Sequence, residues 1–258
     1  MSPHSFPRLI FTVTTGRSGT AYLWRILELV PGIASQHEVR PLFADVMREV
    51  QTNPAAAREF WIERKLPAIL ECGRPVYVET GHLFCKGFFE PLLELGHTPD
   101  LILLSRPNRQ VATSLLQLGT IPGRTKGGLH WYLSPDDPGV LTLPDWRSLS
   151  DYQLCYWYCL EIERRARVYG ETVRSRGGRV VATTLAEINT VAGFRRLLRE
   201  LDLPRPSLYN WAKYTLNRNR TFNRKPGERL DVEPPQDLDR EEREVLERVR
   251  LAISERKP

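Results

Sequence analysis

The stretch TVTTGRSGTAYLWRIL, residues 12–27, decides the fold. A short apolar run that begins at Arg8 ends at the polar sequence TGRSGT, residues 15–20, and a helical spacing of apolar residues follows at once. A glycine-rich loop between a strand and a helix presents unpaired backbone N–H groups and the positive end of the helix dipole. This stretch therefore predicts an anion-binding turn rather than a simple bend.

The composition is typical of a globular α/β chain. The 258 residues suffice for one large domain, and 41% hydrophobic residues supply a sizeable core. The formal net charge, 37 − 31 = +6, favours anionic ligands such as nucleotides or acidic glycans. No stretch approaches the roughly 18 to 20 apolar residues of a membrane span, and the first residues lack a signal-peptide pattern. We expect one domain over residues 1–258 and a cytoplasmic location.

The cysteines support a reducing compartment. Cys72, Cys85, Cys155 and Cys159 show no CxxC spacing, and Cys155 and Cys159, which lie one helical turn apart, have no histidine nearby in sequence. Buried thiols are the expected state. The sequence therefore predicts neither a disulfide framework nor a metal site.

Strand and helix patterns alternate along the chain. Apolar, β-branched runs predict strands at residues 8–14, 32–38, 74–80, 100–105 and 177–184. Helical spacing predicts helices at residues 20–30, 54–70, 85–95, 108–119, 150–174, 187–201 and 237–257. This alternation predicts a three-layer α/β fold with a central parallel sheet covered on both faces.

Polar motifs follow three of the predicted strands. They are TGRSGT at residues 15–20, HEVR at 37–40 and SRPNRQ at 105–110. Ligands of open parallel sheets bind beyond the carboxyl ends of the strands. The three motifs are therefore expected to converge on one edge.

Two regions lack periodicity. Residues 119–149 are dense in Gly and Pro, and a loop of this length is usually functional or disordered. Its aromatic residues Trp131, Tyr132 and Trp146 favour a lid or an acceptor-binding insertion, in which they either stack on a sugar or aromatic ring or anchor the loop. Residues 213–230 are expected to be basic and irregular.

The first motif differs from the phosphate loop of nucleotide hydrolases. A Walker A loop reads GxxxxGK[ST], with a lysine after the second glycine and a hydroxyl for magnesium. Here Thr20 and Ala21 follow Gly19, and no lysine is present. The loop can hold a phosphate, but its composition disfavours an ATP or GTP hydrolase.

Two motifs resemble those of sulfotransferases that use 3′-phosphoadenosine 5′-phosphosulfate (PAPS). TGRSGT is similar to their 5′-phosphosulfate loop, T-x-[KR]-S-G-T. The segment SRPNRQVATS, residues 105–114, is similar to their second motif, in which an Arg at a strand end precedes a Ser by eight residues. The resemblance implies a P-loop NTPase-like sulfotransferase fold in which Arg106 and Ser114 bind the 3′-phosphate. It implies that the 5′-phosphosulfate is bound by Thr15, Gly16, Arg17, Ser18, Gly19 and Thr20.

The HEVR segment resembles the E-x-R segment of the branch with a glutamate base, which includes protein-tyrosine and bacterial sulfotransferases. The resemblance assigns Glu38 as the base that takes the acceptor's proton and Arg40 as the residue that orients it. His37 is an alternative base, because histidine side chains titrate near neutral pH.

Two regions depart from the cytosolic branch of the family. That branch carries a Lys and a His after its third strand, and here the region reads ETGHLFCKGF, so that Lys86 or His82 could assist the leaving group. The late nucleotide clamp, R-K-G-x-x-G-D, is altered here to NRKPGERLD, which keeps Arg224, Lys225 and Gly227.

The resulting functional prediction is a PAPS-dependent sulfotransferase without a metal. Arg17, with Lys86, would offset charge on the bridging oxygen, while Glu38 or His37 acts as the base. The expected acceptor is a hydroxyl or amine on a small molecule, a carbohydrate or a peptide, and nucleic acid is not an expected partner. Two alternatives are a P-loop small-molecule kinase and a non-catalytic module that binds nucleotides or polyanions through its arginines.

Overall fold

A computed structural model describes residues 6–218 and 230–254 around a five-stranded, all-parallel sheet. The strand order is β2-β3-β1-β4-β5. The strands are β1 (Arg8–Val13), β2 (Ile33–Gln36), β3 (Val76–Glu79), β4 (Asp100–Ser105) and β5 (Val180–Thr184). The predicted parallel sheet is confirmed, with every strand inside its predicted range.

Helices fill the connections between the strands. They are α1 (Thr20–Leu27), α2 (Met47–Val50), α3 (Pro54–Phe60), α4 (Leu66–Glu71), α5 (Phe89–Glu94), α6 (Asn108–Gln117), α7 (Lys126–Trp131), α8 (Asp151–Ser175), α9 (Leu185–Ile188), α10 (Val191–Glu200), α11 (Leu208–Asn217) and α12 (Leu238–Ser254). No described helix is long and apolar enough to cross a bilayer.

The sheet separates two apolar cores, as the three-layer prediction requires. Alternate side chains of a strand point to opposite faces. Phe11 and Val13 therefore enter the larger core, which α8 and the helices between β2 and β4 cover. Ile10 enters the smaller core with residues of α1, α10 and α11. Burial on both faces explains why β1 and β4 are nearly continuous apolar runs.

Several helix boundaries differ from the prediction. The helix expected at 85–95 begins only at Phe89, because Gly87 takes a left-handed φ of 98° that no helix accommodates. The helix expected at 187–201 is two helices, since Thr190 caps the start of α10. The irregular segment expected at 213–230 is wrong over residues 213–217, which belong to α11. Residues 219–229 lie outside the described part of the chain.

The topology places a crevice between β1 and β4. These strands are neighbours, with Phe11 opposite Leu101. The chain leaves β1 towards β2 on one side and leaves β4 towards β5 on the other. Diverging connections open a cleft at the carboxyl ends of two adjacent parallel strands, which is where ligands of open α/β sheets bind. Residues 14–19 and Arg106 lie at this cleft.

Candidate active site

The loop after β1 has an unusual backbone. Gly16, Arg17 and Gly19 have φ values of 80°, 56° and 97°. Left-handed φ is uncommon for a residue other than glycine, and such conformations cluster at ligand-binding sites. The buried hydroxyl of Tyr158 on α8 donates to the carbonyl oxygen of Thr15 at 2.9 Å. This bond fixes the loop to α8.

The loop's hydroxyl groups fix its own shape. Ser18 is fully buried, and its hydroxyl donates to the carbonyl oxygen of Gly16 at 3.0 Å. The hydroxyl groups of Thr15 and Ser18 lie 3.1 Å apart. Gly19, which precedes α1, has no side chain to cap the first turn. The N–H groups of this turn are thus left for an external acceptor.

Both glycines of the loop lie against neighbouring side chains. A Cβ atom at Gly16 would lie 3.1 Å from the His82 ring, and one at Gly19 would lie 2.9 Å from Leu185. Only glycine combines this close packing with the left-handed backbone. Residues 15–20, called the cradle below, therefore require glycine at positions 16 and 19.

The second predicted motif meets the first directly. Arg106, which follows β4, donates from Nη1 to the carbonyl oxygen of Arg17 at 2.8 Å. In return, Arg17 Nε lies 3.3 Å from the hydroxyl oxygen of the buried Ser114 on α6 and donates to it. Segments about 90 residues apart in the chain thus interlock at one edge of the sheet, as predicted, and two guanidinium groups converge there.

The candidate base lies on the other side of the loop. Glu38 follows β2 and has a left-handed φ of 48°. Its Oε1 atom lies 3.7 Å from Nε2 of His82. Because the His82 ring also packs against Gly16, it places the carboxylate beside the loop.

Lys86 is enclosed behind His82. Its Nζ atom lies 2.6 Å from His82 Nδ1 and 2.5 Å from the carbonyl oxygen of Trp131, and its side chain is fully buried. Burial lowers the pKa of Lys86 to about 7. Burial, followed by the charge of Lys86, lowers the pKa of His82 well below its usual value, so His82 is neutral at pH 7. Lys86 therefore meets the site through His82 and not directly.

The lowered pKa of Lys86 predicts a pH-dependent stability. Between about pH 7 and pH 10 the unfolded chain keeps a proton on Lys86 that the folded chain has lost. The free energy of unfolding should therefore rise with pH in this window, by at most about 1.4 kcal/mol per pH unit, and the gain should vanish as the pH falls to 7. Urea unfolding of the wild type and of Lys86→Met at pH 7, 8 and 9 measures the difference. If the free energy of unfolding changed equally with pH in the two proteins, the lowered pKa of Lys86 would be contradicted.

The remaining predicted residues are distributed as follows. His37 interacts through Nδ1 with the carbonyl oxygen of Thr80 and stacks on Trp24 at 5.8 Å. Arg40 is exposed, and no ion pair among the described residues joins it to Glu38. The predicted clamp residues, Arg224, Lys225 and Gly227, lie outside the described residues.

The insertion at 119–149 divides its aromatic residues between two roles. Tyr132 is buried with its ring centroid 5.5 Å from that of His82, and the Trp131 ring lies 6.1 Å from His82. Trp146 instead donates to Asp136 at 2.8 Å within the insertion. Trp131 and Tyr132 thus border the site, and Trp146 anchors the loop. The insertion also contains α7, a helix that its lack of periodicity did not predict.

Sequence reasoning missed the residues that support the site. Tyr158 was read only as part of a long helix. Thr80, whose hydroxyl donates to the carbonyl oxygen of Thr20 at 3.0 Å, was read only as a strand end. For the contact between His82 and Lys86 the sequence did offer a signal. Their four-residue spacing places the two side chains on the same side of a helical turn.

A separate cavity of about 430 Å³ lies between α3, α5 and α8. Gln51, Arg58, Glu90 and Arg165 are among its lining residues, and none of the predicted site residues lines it. The cavity is therefore distinct from the candidate active site.

No protein-family model matches the chain, and no curated protein matches it either. Within residues 6–218 and 230–254, no group of three or more His, Cys, Asp or Glu side chains is placed to hold a metal ion. Function is therefore inferred from the site itself.

Proposed function

We propose that this protein is a sulfotransferase that moves a sulfuryl group from PAPS to a hydroxyl or amine of an acceptor. The observation that carries the proposal is the interlock of the two motifs, in which Arg106 binds the carbonyl oxygen of Arg17 and Arg17 binds Ser114. A donor with two separate phosphate-bearing ends needs two anion sites on one edge of the sheet. The sheet order, with the anion loop after the central β1, supports a P-loop NTPase-like fold.

The cradle after β1 fits the 5′ end of such a donor. Its left-handed backbone and glycines at positions 16 and 19 allow close approach of an anion to the N–H groups of α1. Arg17 adds a positive charge at the same place. Arg106 and Ser114 would hold the 3′-phosphate through charge-assisted hydrogen bonds.

Each side chain has a defined role in the proposed transfer. The bound donor supplies an activated sulfuryl group that is attached through a bridging phosphate oxygen. Glu38 takes the acceptor's proton as the acceptor oxygen or nitrogen bonds to sulfur, and Arg17 stabilises the charge left on the bridging oxygen as its bond to sulfur breaks. Adenosine 3′,5′-bisphosphate is the nucleotide product. Positioning and electrostatics supply most of the catalysis, as in phosphoryl transfer.

Lys86 takes an indirect role in this scheme. Below the Lys86 pKa of about 7, the ammonium group only donates hydrogen bonds, so His82 Nδ1 accepts and the ring proton lies on Nε2, which faces Glu38. Lys86 thus orients His82, and His82 orients Glu38. Because Lys86 is fully enclosed, Arg17 is the cation at the leaving oxygen.

The main alternative is a small-molecule kinase. It would use the same loop, but it requires a lysine at the end of the loop and magnesium ligands. A thermal-shift titration with adenosine 3′,5′-bisphosphate, beside ATP with and without magnesium, separates the two. A ligand that binds only the native state raises its stability, by about 2.7 kcal/mol at 100 times Kd. The bisphosphate should give the larger shift, whereas a shift with magnesium-ATP alone would favour the kinase.

A further inference from the structure

A buried ion pair beside the site has no part in the chemistry proposed above. Lys65 Nζ lies 2.7 Å from Glu79 Oε2, and both side chains are at most 2% exposed. The hydroxyl of Tyr77 donates to the same carboxylate oxygen at 2.7 Å. Since burial of two charges costs desolvation energy that their attraction offsets only partly, a buried pair is weak evidence for a role in stability.

The other hydrogen bonds of Lys65 lead to the segment that carries Glu38. Its Nζ atom donates to the carbonyl oxygen of Val39 at 3.3 Å and to that of Pro41 at 3.1 Å. With Glu79 as the third partner, all three ammonium donors are used. Glu79 ends β3, three residues before His82. One ammonium group therefore joins the backbone after Glu38 to the strand that leads to His82.

Local geometry at both ends of this link is unusual. Lys65 is the last residue of a π-helical turn, Trp61–Lys65, between α3 and α4, and such turns occur frequently at functional sites. Glu38 holds a left-handed φ of 48°, a conformation that persists only where the surroundings enforce it. The Lys65 bonds to the carbonyl groups of Val39 and Pro41 restrain the backbone that follows Glu38.

We propose that Lys65, held by Glu79, is a positioning residue that fixes the Glu38 carboxylate against His82. Its consequence for turnover rests on the proposed function, in which Glu38 is the base. The positioning itself is independent of any activity, because it concerns only the Glu38–His82 contact.

The experiment compares the His82 ring signal by NMR at one fixed pH in the wild type and three variants, with a fourth variant to assign the signal. Lys65→Met combined with Glu79→Gln removes the link without leaving an unpaired buried charge. Tyr77→Phe is the matched control, because it removes a partner of Glu79 but keeps the link. Glu38→Gln gives the reference shift for loss of the carboxylate, and a His82→Asn spectrum assigns the ring.

The double variant is expected to move the His82 signal in the same direction as Glu38→Gln and by a comparable amount, whereas Tyr77→Phe should leave it in place. A wild-type His82 signal in the folded double variant would overturn the proposal. If the double variant with Glu79→Gln does not fold, Lys65→Met with Glu79→Leu repeats the test. Apolar residues often replace buried ion pairs with little loss of stability.

A second readout separates this proposal from the proposed function. Affinity for adenosine 3′,5′-bisphosphate should be unchanged in the double variant, while turnover with the sulfated donor should fall by about 10- to 100-fold through misplacement of the base. A shifted His82 signal in a protein that binds no bisphosphate would sustain the positioning role and reject the sulfotransferase. Bisphosphate binding with an unshifted His82 signal would reject the positioning role and sustain the sulfotransferase.

Discussion

Replacement of Glu38 by glutamine is expected to lower turnover by about 100-fold or more while leaving the affinity for adenosine 3′,5′-bisphosphate unchanged. The amide keeps the size of the side chain but cannot take the acceptor's proton. The proposed donor site, residues 15–20 with Arg106 and Ser114, does not include Glu38, whose carboxylate lies 3.7 Å from His82 Nε2. Transfer of ³⁵S from labelled donor to an acceptor, measured at saturating donor, gives the rate, and calorimetry gives the affinity.

Two control variants sharpen this measurement. Glu28→Gln removes a surface carboxylate that pairs only with Arg25 within the described residues, and it should not change turnover. His37→Gln tests the alternative base, whose Nδ1 already contacts the carbonyl oxygen of Thr80. Full turnover in Glu38→Gln together with loss of turnover in His37→Gln would transfer the role of base to His37.

Replacement of Arg106 by alanine should weaken binding of adenosine 3′,5′-bisphosphate by about 10- to 100-fold. This corresponds to the roughly 1.5 to 3 kcal/mol of a hydrogen bond to a charged group. Arg106 already contacts the carbonyl oxygen of Arg17, so its loss removes both a proposed phosphate ligand and a support of the loop. Calorimetric titration of the two proteins at equal ionic strength measures the effect, because salt screens such charges.

The matched control for this prediction is Arg109→Ala. Arg109 lies three residues further along the chain, in the first turn of α6, and pairs with Glu242 of α12, so this variant changes the net charge equally without touching the loop. Adenosine 5′-phosphate, which lacks the 3′-phosphate, should lose less affinity than the bisphosphate in Arg106→Ala, because only the support of the loop is removed for it. Equal bisphosphate affinity in Arg106→Ala and the wild type would contradict the assignment of the second motif.

Local patterns were sufficient to predict much of this architecture. The strand, loop and helix at residues 8–27 follow from neighbouring residues alone, because glycine spacing and apolar periodicity are local properties. The continuous apolar run of β4 likewise indicates a strand buried on both faces. The break before α5 was missed because it depends on the left-handed backbone at Gly87, where Val50 packs closely.

Long-range pairing was the part that sequence could not supply. The motif spacing suggested that Arg106 and Ser114 share a ligand, but the bond from Arg17 to Ser114 depends on β4 lying beside β1. The link from Lys65 to the backbone after Glu38 depends on a π-helical turn, which no periodicity indicated. His82 was assigned only a possible role, because its position between Glu38 and Lys86 follows from the backbone path after β3.

The ratio of two dissociation constants on the wild-type protein tests the central claim most directly. Adenosine 3′,5′-bisphosphate and magnesium-ATP are titrated by calorimetry in the same buffer. The two proposed anion sites at the ends of β1 and β4 predict tighter binding of the bisphosphate, by about tenfold or more for the 3′-phosphate contacts. Tighter binding of magnesium-ATP, or no binding of the bisphosphate, would contradict the sulfotransferase assignment.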